Sequence, residues 1–250
     1  SGGTGYFLPS QPDRGIAACP SIDVDRSSSP RRGWVYLTWC DASGSQADTN
    51  IYFSRSTDGG ATWSAKKKVN DDTTNRSQFF QWLSVDPVDG TIHISWYDAR
   101  DDSNNKKVHV YYTRSTDGGN TFDANIRVTD VQSDESVDNN NRDSGNNYGD
   151  YEGIIAYNGV VYPVWTDTRN TDNTLREEVY VARLSLGSLT TPPASPVITN
   201  IPNPKLFIGQ PLNNAFDLED FNTSDRATAY NALINFQGLS VLAGSTVSQS

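Results

Sequence analysis

A ten-residue stretch occurs twice in this chain, and it limits the fold more than any other feature. Ser54 to Trp63 reads Ser-Arg-Ser-Thr-Asp-Gly-Gly-Ala-Thr-Trp, and Thr113 to Phe122 reads Thr-Arg-Ser-Thr-Asp-Gly-Gly-Asn-Thr-Phe. Self-similarity at a fixed offset is the mark of a repeat architecture. Each copy follows an alternating apolar segment, Ile51-Tyr-Phe-Ser and Val108-His-Val-Tyr-Tyr. The chemistry of the copies is that of a turn. Asp58 and Asp117 can accept hydrogen bonds from backbone N–H groups ahead of them. The Gly-Gly pairs supply positive φ where a side chain would clash. Thr62 and Trp63 then begin the next strand, with the ring expected to fold back over the turn.

The segments around the turns repeat in the same order. Residues 19–25 read as a first strand, 34–40 as a second, 50–54 as a third, and a fourth is expected near 66–70. The second unit places these at 79–86, 91–97, 107–114 and 125–129. The third has 150–157, an Asn158-Gly159 turn, 160–166 and 178–184. Asn-Gly between alternating strands is a strong hairpin signal. Where a third turn should follow, Arg183-Leu-Ser-Leu-Gly-Ser replaces Arg-Ser-Thr-Asp-Gly-Gly, so the motif has decayed. The second strands align as Trp39-Cys-Asp41, Trp96-Tyr-Asp98 and Trp165-Thr-Asp167, the last two running on to Arg100 and Arg169. Four antiparallel strands in each unit of about 60 residues describe a propeller blade. A plain β-sandwich of hairpins is the alternative, but it gives no reason for a repeated Trp-x-Asp-x-Arg.

The expected fold is therefore all-β: a propeller segment of about three four-stranded blades over 19–184, after an extended segment at 1–18. Residues 185–196 carry three prolines and no strand pattern, and read as a partly stiff linker. Residues 197–250 look like part of a cadherin- or immunoglobulin-like β module; a whole one needs ~100 residues.

The repeated stretch resembles the Asp box of the sialidase (BNR-repeat) superfamily. Its conserved positions fall on Ser56, Asp58, Gly60, Thr62 and Trp63, and on Ser115, Asp117, Gly119, Thr121 and Phe122. In that family the box is a structural turn on the propeller rim, away from the active site, so the resemblance speaks to fold more than to catalysis. It implies a six-bladed ring. Three blades would leave two sheet faces bare, so other blades or another chain are expected to complete the propeller. Tyr148-Gly-Asp-Tyr-Glu-Gly153 with Trp165-Thr-Asp-Thr-Arg169 also resembles secreted bacterial proteins of this family. There an arginine triad holds the substrate carboxylate, a Tyr nucleophile works with a Glu, and an Asp is the acid/base. Arg100 and Arg169 sit at equivalent positions and could converge, or could each pair with the Asp two residues earlier. Tyr148, Tyr151 and Glu152 are candidates by residue type. The family's Arg-Ile-Pro motif has no counterpart here.

Hairpin register gives two geometric expectations. Pairing Asp25 with Trp34 places Cys19 opposite Cys40, close enough for a disulfide; two buried thiols are the alternative. Pairing Tyr157 with Val160 places Asp150 opposite Asp167. Two carboxylates that close need a cation, a shared proton or intervening solvent, and Ca2+ suits oxygen-rich sites. His93 and His109 lie in alternating strands with no metal spacing. Asn75 and Asn222 begin glycosylation sequons, a short pattern common by chance.

The net charge is −10 and no apolar run approaches the ~20 residues of a membrane span. Nucleic acid is not expected as a partner. The absence of Met suggests a processed or partial chain, and a secreted or surface location is expected. The reading ranks a non-catalytic extracellular module for adhesion, glycan contact or self-assembly first. A piece of a sialidase-like glycoside hydrolase is the alternative.

Overall fold

The computed structural model describes residues 6–42, 48–134, 148–149, 152–169, 178–185 and 197–201. The chain divides into two units, 1–199 and 200–250, and the first carries nearly all of these residues. No helix occurs among them. Two short strands come first, β1 (Tyr6–Leu8) and β2 (Gln11–Ile16), paired as a hairpin within the segment expected to be extended. Three antiparallel sheets follow. The first is β3 (Ser21–Val24), β4 (Val35–Ala42), β5 (Thr49–Ser56) and β6 (Lys67–Lys68). The second is β7 (Gln78–Val85), β8 (Ile92–Asp98), β9 (Lys107–Ser115) and β10 (Ile126–Arg127), with β11 (Ser133–Asp134) also on β9. The third is β12 (Gly153–Tyr157), β13 (Val160–Asp167), β14 (Glu178–Ser185) and β15 (Val197–Ile201). That last strand lies where the C-terminal module was expected to begin. The fourth strands β6 and β10 are shorter than the sequence suggested, although the Val69 and Val128 N–H groups just after them still donate to the Ile51 and Val110 carbonyls of the third strands at 2.8 Å.

Both hairpin registers are as expected: Ser21 faces Thr38, and Tyr157 faces Val160. The cysteines do not form the expected disulfide and both remain thiols. Cys19 takes φ 42°, which turns it out of the ladder beyond Ser21. Cys40 is buried instead, with its Sγ donating to the Ala17 carbonyl at 3.4 Å. Burial pushes the Cys40 thiol well above its ordinary pKa.

The sheets stack face to face as successive blades, and the burial pattern reports the stacking. In the second blade every residue of β8 is buried, because both faces are covered. In β4 and β13 buried residues alternate with more open ones. Each outer blade therefore shows one bare face. Equivalent positions follow from the ladder: Trp39, Trp96 and Trp165 face Tyr52, Tyr111 and Tyr180 across the second and third strands. A bulge between Phe79 and Trp82, with Phe80 at φ 50°, shifts the second blade's inner strand.

Candidate functional site

The two Asp-Gly-Gly turns share one geometry. Asp58 Oδ1 accepts from Thr62 N–H at 2.9 Å and Oδ2 accepts from Thr62 Oγ1 at 2.5 Å. Asp117 accepts from Thr121 at 2.9 and 2.6 Å. Ser56 and Ser115 donate to the same carboxylates and accept the Gly60 and Gly119 N–H groups at 2.8 Å. The Thr62 hydrogen bonds hold Asp58 down to about 2. All these groups serve the turn.

The rings after the two turns differ in their surroundings. Phe122 packs edge-on against Phe53 of the first blade, centroids 5.1 Å apart. Trp63 is 41% exposed.

The Trp-x-Asp-x-Arg repeat is a clamp. Trp96 Nε1 donates to Asp98 Oδ2 at 2.8 Å, and Trp165 Nε1 to Asp167 Oδ2 at 2.8 Å. Arg100 Nη2 pairs with Asp98 at 2.8 Å, and Nη1 reaches Asp71 of the preceding blade at 2.6 Å. Arg169 repeats this with Asp167 at 2.8 Å and Asp130 at 2.7 Å. Each guanidinium also lies over the tyrosine opposite its tryptophan, Tyr111 at 4.3 Å and Tyr180 at 4.6 Å, a cation–π geometry. Burial opposes the Arg100 charge, but its hydrogen bonds to Asp98 outweigh that and raise its pKa. In the first blade Lys66 pairs with Asp41 at 3.2 Å and sits 4.4 Å over Tyr52. The two arginines are thus committed to their own carboxylates and do not open toward a common ligand.

The expected metal pair is half visible. Asp167 accepts from Trp165 Nε1, Arg169 N–H and the Arg169 guanidinium, which leaves it poorly suited to a cation. Asp150 and Tyr151 lie outside the described residues. Among the described residues no group of three or more His, Cys, Asp or Glu could hold a metal. Tyr148 is fully buried among Phe79, Tyr97 and the Ser133 carbonyl, so it packs rather than presents its hydroxyl.

Glu152 stands apart. It is 5% exposed and accepts from Ser95 Oγ at 2.7 Å, while its Oε2 has no hydrogen-bond partner. Desolvation raises its pKa well above the ordinary carboxylate range, and the Ser95 hydrogen bond offsets only part of this. It borders an open cleft of about 510 Å3 with Trp82, Tyr162, Val164 and Trp165. Ladder equivalence puts Gln81 at the same place one blade earlier, where its Nε2 donates to carbonyls of Cys19 and Thr38. The bland role is therefore an inter-blade link. In the sequence Glu152 is a candidate by residue type alone, and its equivalence to Gln81 depends on the Phe79 bulge.

No family model and no curated protein matches the chain. Solved structures do. An α-L-arabinanase from Penicillium chrysogenum, complexed with arabinobiose, is 17% identical, with a TM-score of 0.50 over 67% of this chain and 46% of that one. The chain has an all-β, β-propeller fold. Two sialidases also match. A Hadza microbial enzyme is 17% identical with a TM-score of 0.46, covering 66% of this chain and 34% of that one. A mutant NanB sialidase from Streptococcus pneumoniae is 16% identical with a TM-score of 0.46, covering 75% and 24%. The chain spans less than half the length of each of these proteins.

Proposed function

We propose that this chain is a non-catalytic, extracellular or surface-displayed propeller module whose repeated residues build contact surfaces rather than a hydrolytic site. One observation carries this reading: Arg100 and Arg169 are each held by two carboxylates and a tyrosine face, and the remaining Arg169 Nε is buried. A carboxylate clamp for a sugar acid needs free bidentate guanidinium faces, and these have none to offer. The repeated turns, read as Asp boxes, support the same role.

A second reading, a piece of a glycoside hydrolase, is favoured by Glu152 alone. A carboxyl whose pKa burial raises, beside an open cleft, is the setting a general acid takes. The test is a fluorogenic assay with sialoside and arabinoside substrates on the purified chain. The module reading expects no turnover above background. Turnover that Glu152→Gln abolishes would put the hydrolase first.

A further inference from the structure

Two described faces of the stack are bare, and they belong to opposite ends of the same repeat. The leading face of the first blade carries Ile22, Val35, Leu37 and Trp39, with Ile22 62% exposed. Their ladder equivalents in the second blade are Leu83, Ile92, Ile94 and Trp96, all buried where that sheet faces the first. The trailing face of the third blade carries Ile155, Tyr157 and Tyr162, at 59%, 66% and 39% exposure. Its equivalents in the first two blades are covered by the next sheet.

The polar links at the covered seams are missing from both bare faces. At the first seam Val85 N–H donates to Asp23 Oδ2 at 2.9 Å, and at the second Ala156 N–H donates to Ser84 Oγ at 3.2 Å. The acceptor position of the third blade is Ile155, which offers nothing. The matching donor of the first blade, Val24 N–H, is already taken by Asp23 Oδ1 at 2.8 Å. At this position one face has lost the acceptor and the other has no spare donor, so joining them there strands neither group; one position along, where Leu83 N–H donates to Ser21 Oγ at 3.2 Å, the third blade has Gly153 in place of Ser21.

The turns show the same fit. At the first seam Gly119 lies under the Phe53 ring, Phe122 packs on that ring, and Arg55 Nη1 donates to the Gly118 carbonyl at 2.7 Å. The first turn has no such cover: a Cβ at Gly59 or Gly60 would meet nothing within 4 Å. On the third blade the position of Phe53 is Val181, and the position of Arg55 is the exposed Arg183. The larger Trp63 against the smaller Val181 keeps the volume of Phe122 against Phe53.

We propose that the trailing face of the third blade receives the leading face of the first blade of a second copy of this chain. The contact is head-to-tail, and two copies joined at both seams make six blades, within the ~4 to 8 of closed propellers. Heterologous contacts that close give rings, and those that do not close give filaments. This deepens the module reading, since it names the surface and the partner. It is separable from that reading, because an active or inactive chain can be a monomer or a dimer.

Sedimentation and light scattering of the full chain at micromolar concentration test it. A dimer is expected. Ile22→Asp and Tyr157→Asp, both at exposed positions that leave each blade's own core intact, should each give a monomer, because either change spoils both seams of the pair. An equimolar mixture of the two should pair through the one intact seam. A monomeric wild type overturns the proposal. So does a dimer insensitive to Ile22→Asp, which would mean that two trailing faces pair. A ladder of ever larger species would overturn ring closure.

Discussion

The two Asp-Gly-Gly turns have the same residues, the same hydrogen bonds and opposite surroundings. Gly118 and Gly119 are buried on the first blade, against Phe53, Trp34 and Arg31. Gly59 and Gly60 are exposed. The hydrogen bonds within the turn are therefore not what makes one copy an inter-blade contact. What differs is the sheet beside it. A local motif fixes a local shape, and its value to stability is set by the neighbour that covers it.

The largest effect should come from adding one methyl group to each turn. Gly119 and Gly60 both have positive φ, 84° and 97°. Gly119→Ala would put its Cβ 2.2 Å from the Phe53 ring, whereas at Gly60 the space is open. Backbone strain costs each about 1–2 kcal/mol, and overpacking adds about 1–3 kcal/mol at Gly119 alone. Chemical denaturation of both variants measures the difference; equal losses would break the comparison.

Ring removal comes next. Phe122→Ala should cost about 2–3 kcal/mol, since it is half-buried on Phe53. Trp63→Ala should cost under about 1 kcal/mol at dilution. A loss at Trp63 that grows with protein concentration would tie it to the seam between copies.

A titration separates the covered face from the bare ones. His93 is buried in the middle blade, bonded to Tyr112 at 2.7 Å, where the outer blades carry Tyr36 and Tyr162. Burial lowers its pKa from 6.5 to about 4. The native state thus keeps the ring neutral. The stabilisation is whole above pH 6.5 and is lost as pH falls toward 4. It amounts to about 3 kcal/mol at 1.36 kcal/mol per unit. Urea midpoints across that range should fall less steeply for His93→Gln.

Glu152 slopes the other way. Its raised pKa means that stability is whole below the unfolded value of 4.5 and is lost as pH rises. Glu152→Gln copies the residue at the equivalent Gln81, so the melting temperature at neutral pH should rise and its pH dependence should flatten. A drop would show the carboxyl to be better satisfied than Gln81.

The smallest effect is expected from chelation. Arg169 already neutralises Asp167, so EDTA should leave the melting temperature unchanged. A fall reversed by Ca2+ would place a cation with Asp150 and Asp167.

The sequence made some of this legible and hid the rest for definable reasons. The register of Ser21 with Thr38 and of Tyr157 with Val160 could be read because a short turn fixes a hairpin locally. The pairing of Arg100 with Asp98 was an open alternative, and the two-residue spacing already allowed it. Asp71 and Asp130, the second carboxylates of the clamps, had no such signal, because they reach across from the preceding blade. The Cys19–Cys40 bond failed where a regular ladder was extended past its last pair, into a residue with positive φ. Glu152 was chosen by type. Its burial, its link to Ser95 and its kinship with Gln81 appear only when two distant blades meet.

The Arg100 clamp has a consequence for how the stack comes apart. Each arginine binds a carboxylate on its own blade and one on the blade before, so a blade cannot tilt away without breaking charge pairs with its neighbour. Repeat arrays obey nearest-neighbour statistics, in which the coupling between units decides whether they melt singly or together. Part of that coupling is electrostatic and exposed, with Asp71 46% and Asp130 70% open to solvent; the rest is the apolar seam of Leu83, Ile92, Ile94 and Trp96. Salt screens such pairs. Raising the ionic strength should therefore loosen the stack only as far as these charge pairs carry the coupling, while the buried apolar seam keeps the blades melting together.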